Sequence, residues 1–256
     1  MILAVLNNKG GVGKTTVAVN LGAALVAPRR RVLLVDLDSQ ASASVWCGIR
    51  RGRLKPSSAS VLLHDFPIEQ AIRPTSTPRL DILTGSFDLA NADLTLCDVK
   101  GRESTLKQAL RRLHARYEMI VLDCPPSLSL VGVNALVAAD FILIPVAPQF
   151  LVLDGLSGLI GSIDTVRRRL GTRSRLLGIL ITSADAAKNG HEDLRDRLRA
   201  EYRDVVFHTE IGLSRTLQQA PAAGKNILAF APRSKAADSF RRLAGEVLER
   251  VKATRR

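Results

Sequence analysis

Short apolar runs recur along this chain, each followed by a stretch in which apolar positions return every three or four residues. The runs cover residues 2–6, 32–36, 81–84, 119–123, 141–146 and 176–181, with a weaker one over 205–208. They are rich in Val, Ile and Leu and alternate little, which predicts parallel strands buried on both faces. The intervening 3.6-residue periodicity predicts helices over 15–26, 104–116, 129–138, 153–170, 191–202 and 236–251. Strand and helix in regular alternation define an α/β fold with a doubly wound, mostly parallel sheet flanked by helices. Ligands of such sheets bind at the C-terminal ends of the strands. No internal repeat or long linker divides residues 1–256, so one domain is expected, with the irregular stretch 50–60 as a surface loop.

Composition narrows the class. The chain is 46% apolar and 4% aromatic, and no run approaches the length of a membrane span. Cys47, Cys97 and Cys124 are scattered, without a C-x-x-C pair, which suits a reducing cytosol and opposes a metal cluster. The formal charge of +13 points to an acidic polymer as partner, nucleic acid before membrane.

The chemistry concentrates at the ends of three predicted strands. After the first comes Asn8-Lys9-Gly10-Gly11-Val12-Gly13-Lys14-Thr15-Thr16. Glycines between a strand and a helix let consecutive amides point at a phosphate, and the helix N-terminus adds its positive end. In such a loop Lys14 reaches the β- and γ-phosphates and the Thr15 hydroxyl ligates Mg²⁺. Asn8 stands where an ordinary phosphate loop opens with glycine. The second strand ends in Asp36-Leu37-Asp38-Ser39-Gln40, and the run over 119–123 ends in Asp123-Cys124-Pro125-Pro126. An aspartate closing an apolar strand is a Walker B pattern, with Asp123 near Mg²⁺.

The run Lys9-Gly10-Gly11-Val12-Gly13-Lys14-Thr15-Thr16 resembles the deviant Walker A box of the ParA/MinD superfamily of ATPases. The resemblance continues through Asp36, Asp38 and Gln40, where Ser39 replaces the usual proline. It continues through the D-x-P-P segment at Asp123 and through Ala220-Pro221-Ala222-Ala223-Gly224-Lys225-Asn226-Ile227 to Pro232-Arg233-Ser234-Lys235, a ParA-like block. It implies ATP and Mg²⁺ as cofactors. It implies a homodimer that sandwiches nucleotide, with Lys9 reaching the partner's phosphates. Asp38 would orient the attacking water and Asp36 would support the Mg²⁺ shell. Thr182 and Ile211-Gly212 fall where relatives contact the base, although Gly212 stands in place of a proline.

ParA-type relatives bind DNA nonspecifically through basic residues in the last third of the chain. Arg199, Arg203, Arg215, Arg233, Lys235 and Arg241 are the matching or nearby candidates, while Leu213 and Thr216 occupy places where relatives carry arginine. The resemblance therefore implies a cytoplasmic, nucleoid-associated ATPase that positions chromosome, plasmid or other cargo, stimulated by a ParB-like or cargo-adaptor protein. A MinD-like membrane-associated ATPase is the alternative, and a metal-cluster carrier a third. The C-terminal helix separates the first two. Phe240, Leu243, Val247, Leu248 and Val251 share one face, but Glu246 and Glu249 interrupt its basic side, which favours a core-packing helix over an interfacial anchor.

Overall fold

The computed structural model describes residues 1–147, 152–184 and 191–254. Its strands are β1 (Ile2–Val5), β2 (Val32–Asp36), β3 (Ile72–Pro74), β4 (Leu80–Leu83), β5 (Met119–Asp123), β6 (Phe141–Val146), β7 (Arg175–Ala184) and β8 (Ile211–Gly212). They form one eight-stranded sheet in the order β3-β4-β2-β5-β1-β6-β7-β8. Every pairing is parallel except that of β3 with β4. The doubly wound, mostly parallel α/β sheet expected from the pattern is the observed one.

Alternate strand residues feed two cores. Ala4, Leu33, Val35, Ile120, Leu122, Ile142 and Ile144 face one layer, and Leu3, Val5, Leu34, Val121 and Leu143 the other. This two-sided burial explains why the runs read as continuously apolar. The helices are α1 (Lys14–Ala24), α2 (Ser42–Trp46), α3 (Ser58–His64), α4 (Ile68–Ala71), α5 (Ala92–Thr95), α6 (Thr105–Arg111), α7 (Leu130–Ala138), α8 (Val152–Leu170), α9 (His191–Tyr202), α10 (Arg215–Gln219), α11 (Ile227–Phe230) and α12 (Lys235–Thr254).

Four details depart from the pattern. The run 205–208 is no strand: a 3₁₀ turn covers Arg203–Val205, and Val206 makes only an isolated bridge to Ile179. Its apolar character serves burial instead, because Val206 and Phe207 are buried. The edge strands β3 and β8 are three and two residues long, too short for a periodic signal. The helix expected over 104–116 ends at Arg111, after which Leu113 and Tyr117 turn inward and Tyr117 donates to the buried Asp81 at 2.7 Å. The stretch 50–60, expected as a loop, contains a 3₁₀ turn at Arg51–Arg53 and the start of α3.

The C-terminal helix packs in the core. Phe240, Leu243, Val247 and Val251 are buried against α1 and the sheet. Glu246 accepts the His208 and Thr209 amides at 2.8 and 2.9 Å and pairs with Arg250 at 2.9 Å. Arg250 in turn lies over the Phe207 ring and donates to the Val206 carbonyl. Burial opposes the Glu246 charge, but the Thr209 and His208 amides and Arg250 hold its pKa below the usual carboxylate value. A depressed carboxylate pKa stabilises the fold above the unfolded-state pKa, and the contribution disappears as pH falls through the folded one. Glu246→Ala is therefore expected to lower unfolding free energy at pH 7 by about 2 kcal/mol, since two amides lose a charged acceptor. Urea titrations at pH 7 and pH 4 check this, with the gap from wild type narrowing at the lower pH.

Candidate nucleotide site

The site is built where β1, β2 and β5 end together. In register, β1 places Val5 beside Asp123 and β2 places Asp36 beside Asp123. The buried Asn7 fixes the start of the loop that leaves β1. Its amide donates to the Pro145 carbonyl at 2.7 Å, and its own carbonyl accepts the Lys9 amide at 2.9 Å. Sequence reasoning passed over Asn7, because its partner lies on β6, far along the chain.

Gly11 and Gly13 have φ of 74° and 85°, a left-handed region that L side chains rarely adopt. Gly13 leads straight into α1, whose N-terminus has no side-chain cap and no acidic residue in its first turn. Its leading amides thus remain available to an anion. The Lys14 ammonium is buried and donates to the Lys9 carbonyl at 2.9 Å. Burial lowers its pKa, and the charges of Asp123 and Asp38 offset part of that shift. Lys9 itself is exposed, with its backbone held from both sides by these two bonds.

Asp123 is fully buried and neither carboxylate oxygen has a partner at hydrogen-bonding geometry. Burial and then the neighbouring Asp36 push its pKa well above the usual carboxylate value, while the nearby Thr15 hydroxyl opposes the shift. A buried carboxylate that lacks a protein donor beside a threonine hydroxyl is a donor set suited to Mg²⁺, which is held by few oxygen ligands and keeps several waters. Asp36 differs. One oxygen accepts the Ser44 amide at 2.8 Å and the Ser44 hydroxyl at 2.6 Å, and the other accepts the Asp38 amide at 3.2 Å. Burial raises its pKa to about 6 against these bonds. Asp38 is only partly buried, with one oxygen accepting the Gln40 amide at 2.9 Å.

Beside the loop opens a cleft of 290 Å³, lined by Gly13, Thr16, Trp46, Thr182, Ile211 and Gly212 among others. All three residues expected at the base therefore share one cavity with the phosphate loop. The Thr182 hydroxyl is already engaged, donating to the Val12 carbonyl at 2.7 Å, so it braces the loop from behind. Trp46, the only tryptophan of the chain, donates to the Lys225 carbonyl at 2.9 Å. The block Gly224-Lys225-Asn226-Ile227 is thereby anchored to α2, and the Ile227 amide donates to Asn20 of α1 at 2.7 Å. The block thus ties together α1 and α2, whose Thr16 and Trp46 line the cleft.

The six basic candidates divide. Arg199 pairs with Glu210 at 2.8 Å and Arg241 with Asp238 at 2.5 Å. Arg203, Arg215, Arg233 and Lys235 are exposed and form no ion pair among the described residues. Lys235 and Arg242 line a second cleft of 610 Å³ that shares Gly212, Leu213 and Ser214 with the first. No helix of the described residues is long and apolar enough to cross a membrane.

An uncapped helix behind a glycine loop, a buried lysine and an unpartnered strand-end aspartate define a P-loop nucleotide-binding protein of the doubly wound α/β class. Comparison with known proteins agrees. The AAA domain family matches residues 1–176. The chain is 38% identical over 246 residues to the sporulation initiation inhibitor protein Soj of Bacillus subtilis, covering 96% of this chain and 97% of the relative. It is 40% identical over 249 residues to the chromosome-partitioning ATPase Soj of Thermus thermophilus, covering 97% and 96%. Among solved structures, cobyrinic acid a,c-diamide synthase from Mycobacterium smegmatis with bound ATP analogue and magnesium superposes with a TM-score of 0.85 at 31% identity, over 99% of this chain and 96% of that one. The chain belongs to the ParA/MinD family.

Proposed function

We propose that the protein is a ParA-like ATPase that closes an ATP-sandwich dimer, holds DNA nonspecifically and drives chromosome or other cargo partitioning. The observation that carries this reading is Lys9, exposed at the mouth of the phosphate loop while its backbone is pinned by Asn7 and Lys14. The similarity to proteins named for chromosome partitioning supports it over nearly the whole chain.

In this reading the amides of Gly11 to Thr16 cradle the phosphates of ATP, and Lys14 exchanges the Lys9 carbonyl for a phosphate oxygen. Thr15 and Asp123 would hold Mg²⁺, whose charge would offset that of the phosphates. Asp38 orients the attacking water, a positioning task that needs no covalent chemistry. Thr182, Ile211 and Gly212 border the nucleotide. Lys9 places its charge on the partner subunit's phosphates, so that nucleotide and dimer favour each other. Arg203, Arg215, Arg233 and Lys235 contact DNA phosphates, with Arg199 and Arg241 free to join only on leaving their acidic neighbours. A ParB-like or cargo-adaptor protein stimulates hydrolysis and releases the protein from the nucleoid.

Binding to nonspecific duplex DNA with ATP, ADP or no nucleotide tests the reading, beside an Asp38→Ala variant that binds ATP without hydrolysing it. ATP-dependent retention, prolonged in the variant, is expected. If each of those four cations neutralises one phosphate in both subunits of the dimer, affinity falls about ten-thousandfold between roughly 50 and 200 mM salt. An ATP-driven dimer with no affinity for DNA would refute the DNA assignment.

A further inference from the structure

Asp36 and Ser44 form a buried junction that the phosphate chemistry above leaves without a role. The Ser44 hydroxyl donates to the Asp36 carboxylate at 2.6 Å and accepts the Gly85 amide at 2.9 Å. Asp36 reaches forward through its other oxygen to the Asp38 amide. The Ser44 hydroxyl therefore joins the end of β2, the first turn of α2 and Gly85, two residues beyond β4. Asp36 and Ser44 have no exposed surface at all. Gly85 packs so closely that an added Cβ would stand 2.7 Å from the Asp38 carbonyl oxygen and 2.8 Å from an Asp36 carboxylate oxygen.

We propose that Ser44 is a positioning residue for hydrolysis, and that Asp36 acts through Ser44 and the Asp38 amide rather than as a ligand of Mg²⁺. The inference rests on the ATPase reading. Asp38 sits two residues beyond Asp36 on a turn tied to the Asp36 carboxylate through that amide and to the end of β5 by the Leu37 amide, which donates to the Asp123 carbonyl at 3.0 Å. Ser44 fixes the carboxylate's rotamer. A hydroxyl that both donates to Asp36 and accepts from Gly85 sets the distance between the Asp38 turn and β4. Asp123, by contrast, has no donor at hydrogen-bonding geometry among the described residues, so the two aspartates divide the work: one remains available to a cation and the other anchors the turn.

The test compares steady-state ATP hydrolysis by wild type, Ser44→Ala, Ser44→Cys and Ser58→Ala, with nucleotide affinity measured by calorimetry. Ser58 is an equally buried serine whose hydroxyl donates at 2.7 Å to the Asp36 backbone carbonyl rather than to its carboxylate. It therefore controls for general loss of a buried hydrogen bond. Ser44→Ala is expected to lower kcat by about tenfold to a hundredfold while KM and nucleotide Kd stay within about twofold, because turn geometry and not binding is lost. Ser44→Cys keeps the volume but hydrogen-bonds weakly, so it falls on the same side, and it carries the test if the alanine variant does not fold. Ser58→Ala loses stability but keeps its kcat. A kcat within about twofold of wild type in the Ser44 variants, or a loss that appears in Kd, overturns the inference. A wild-type protein without Mg²⁺-dependent ATP hydrolysis refutes the ATPase reading instead.

Discussion

Lys14→Ala is expected to abolish nucleotide-dependent behaviour while leaving the folded protein as stable as before. The two halves have different causes. A charge-assisted hydrogen bond to phosphate is worth about 1.5–3 kcal/mol, so its removal weakens binding by roughly tenfold to more than a hundredfold before any loss in catalysis. The ammonium itself, however, is buried, and burial already depresses its pKa. Deleting a desolvated charge relieves a penalty that offsets the lost bond to the Lys9 carbonyl. Wild type gains about 2.7 kcal/mol of unfolding free energy at a hundred times its Kd for nucleotide, whereas the variant at the same concentration gains only about 0.3–1.4 kcal/mol. Thermal unfolding with and without Mg²⁺-ATP reads this difference. Trp46 fluorescence gives a second signal, since that side chain lines the cleft. A nucleotide-induced rise in unfolding temperature equal to wild type would remove Lys14 from the site.

Gly85→Ala carries the second large effect, from one methyl group. Its Cβ would fall 2.9 Å from the Asp36 carboxyl carbon, besides the two contacts already given, and these neighbours are backbone or a locked side chain. Nothing flexible can yield, so the turn must move. Overpacking of this kind costs about 1–3 kcal/mol. A displaced Asp38 would also reduce turnover, by about a hundredfold for a shift near 1 Å. Gly22→Ala is the control. It lies inside α1, where the added Cβ would meet only Leu80 at an ordinary 3.7 Å, and alanine favours a helix over glycine by about 0.8–1 kcal/mol. Urea unfolding and ATPase rates for the pair should move in opposite directions for stability, with activity lost only at Gly85. Wild-type activity in Gly85→Ala would mean that the turn has more room than its contacts allow.

The phosphate loop was legible because its information is local: glycine positions, lysine and threonine lie within nine residues of one another. The long central strands were legible for a similar reason, since two-sided burial writes an unbroken apolar run. What stayed hidden depends on partners remote in sequence. Asn7 looks like any polar residue after a strand until β6 brings Pro145 to it. Thr182 was read as a neighbour of the base, and it does line the cleft, but its hydroxyl holds Val12. Trp46 and the Gly224–Ile227 block meet only through tertiary packing. The run 205–208 misled because burial under Arg250 and strand pairing both favour apolar residues. Periodicity separates them poorly over four positions.

The placement of β1 bears on how the protein is born. The strand that carries the phosphate loop is made first, yet its two sheet neighbours are β5 and β6. Asn7 waits for Pro145, 138 residues later. At ribosomal speeds of about 5–20 residues per second, that interval lasts roughly 7–28 s. For most of it β1 has neither sheet neighbour, since β5 begins only at Met119 and β6 at Phe141. A nascent chain thus completes the support of its phosphate loop late, when β6 is added beside β1. Truncated chains that stop short of that strand would expose one unpaired edge of β1, the kind of apolar surface that chaperones bind.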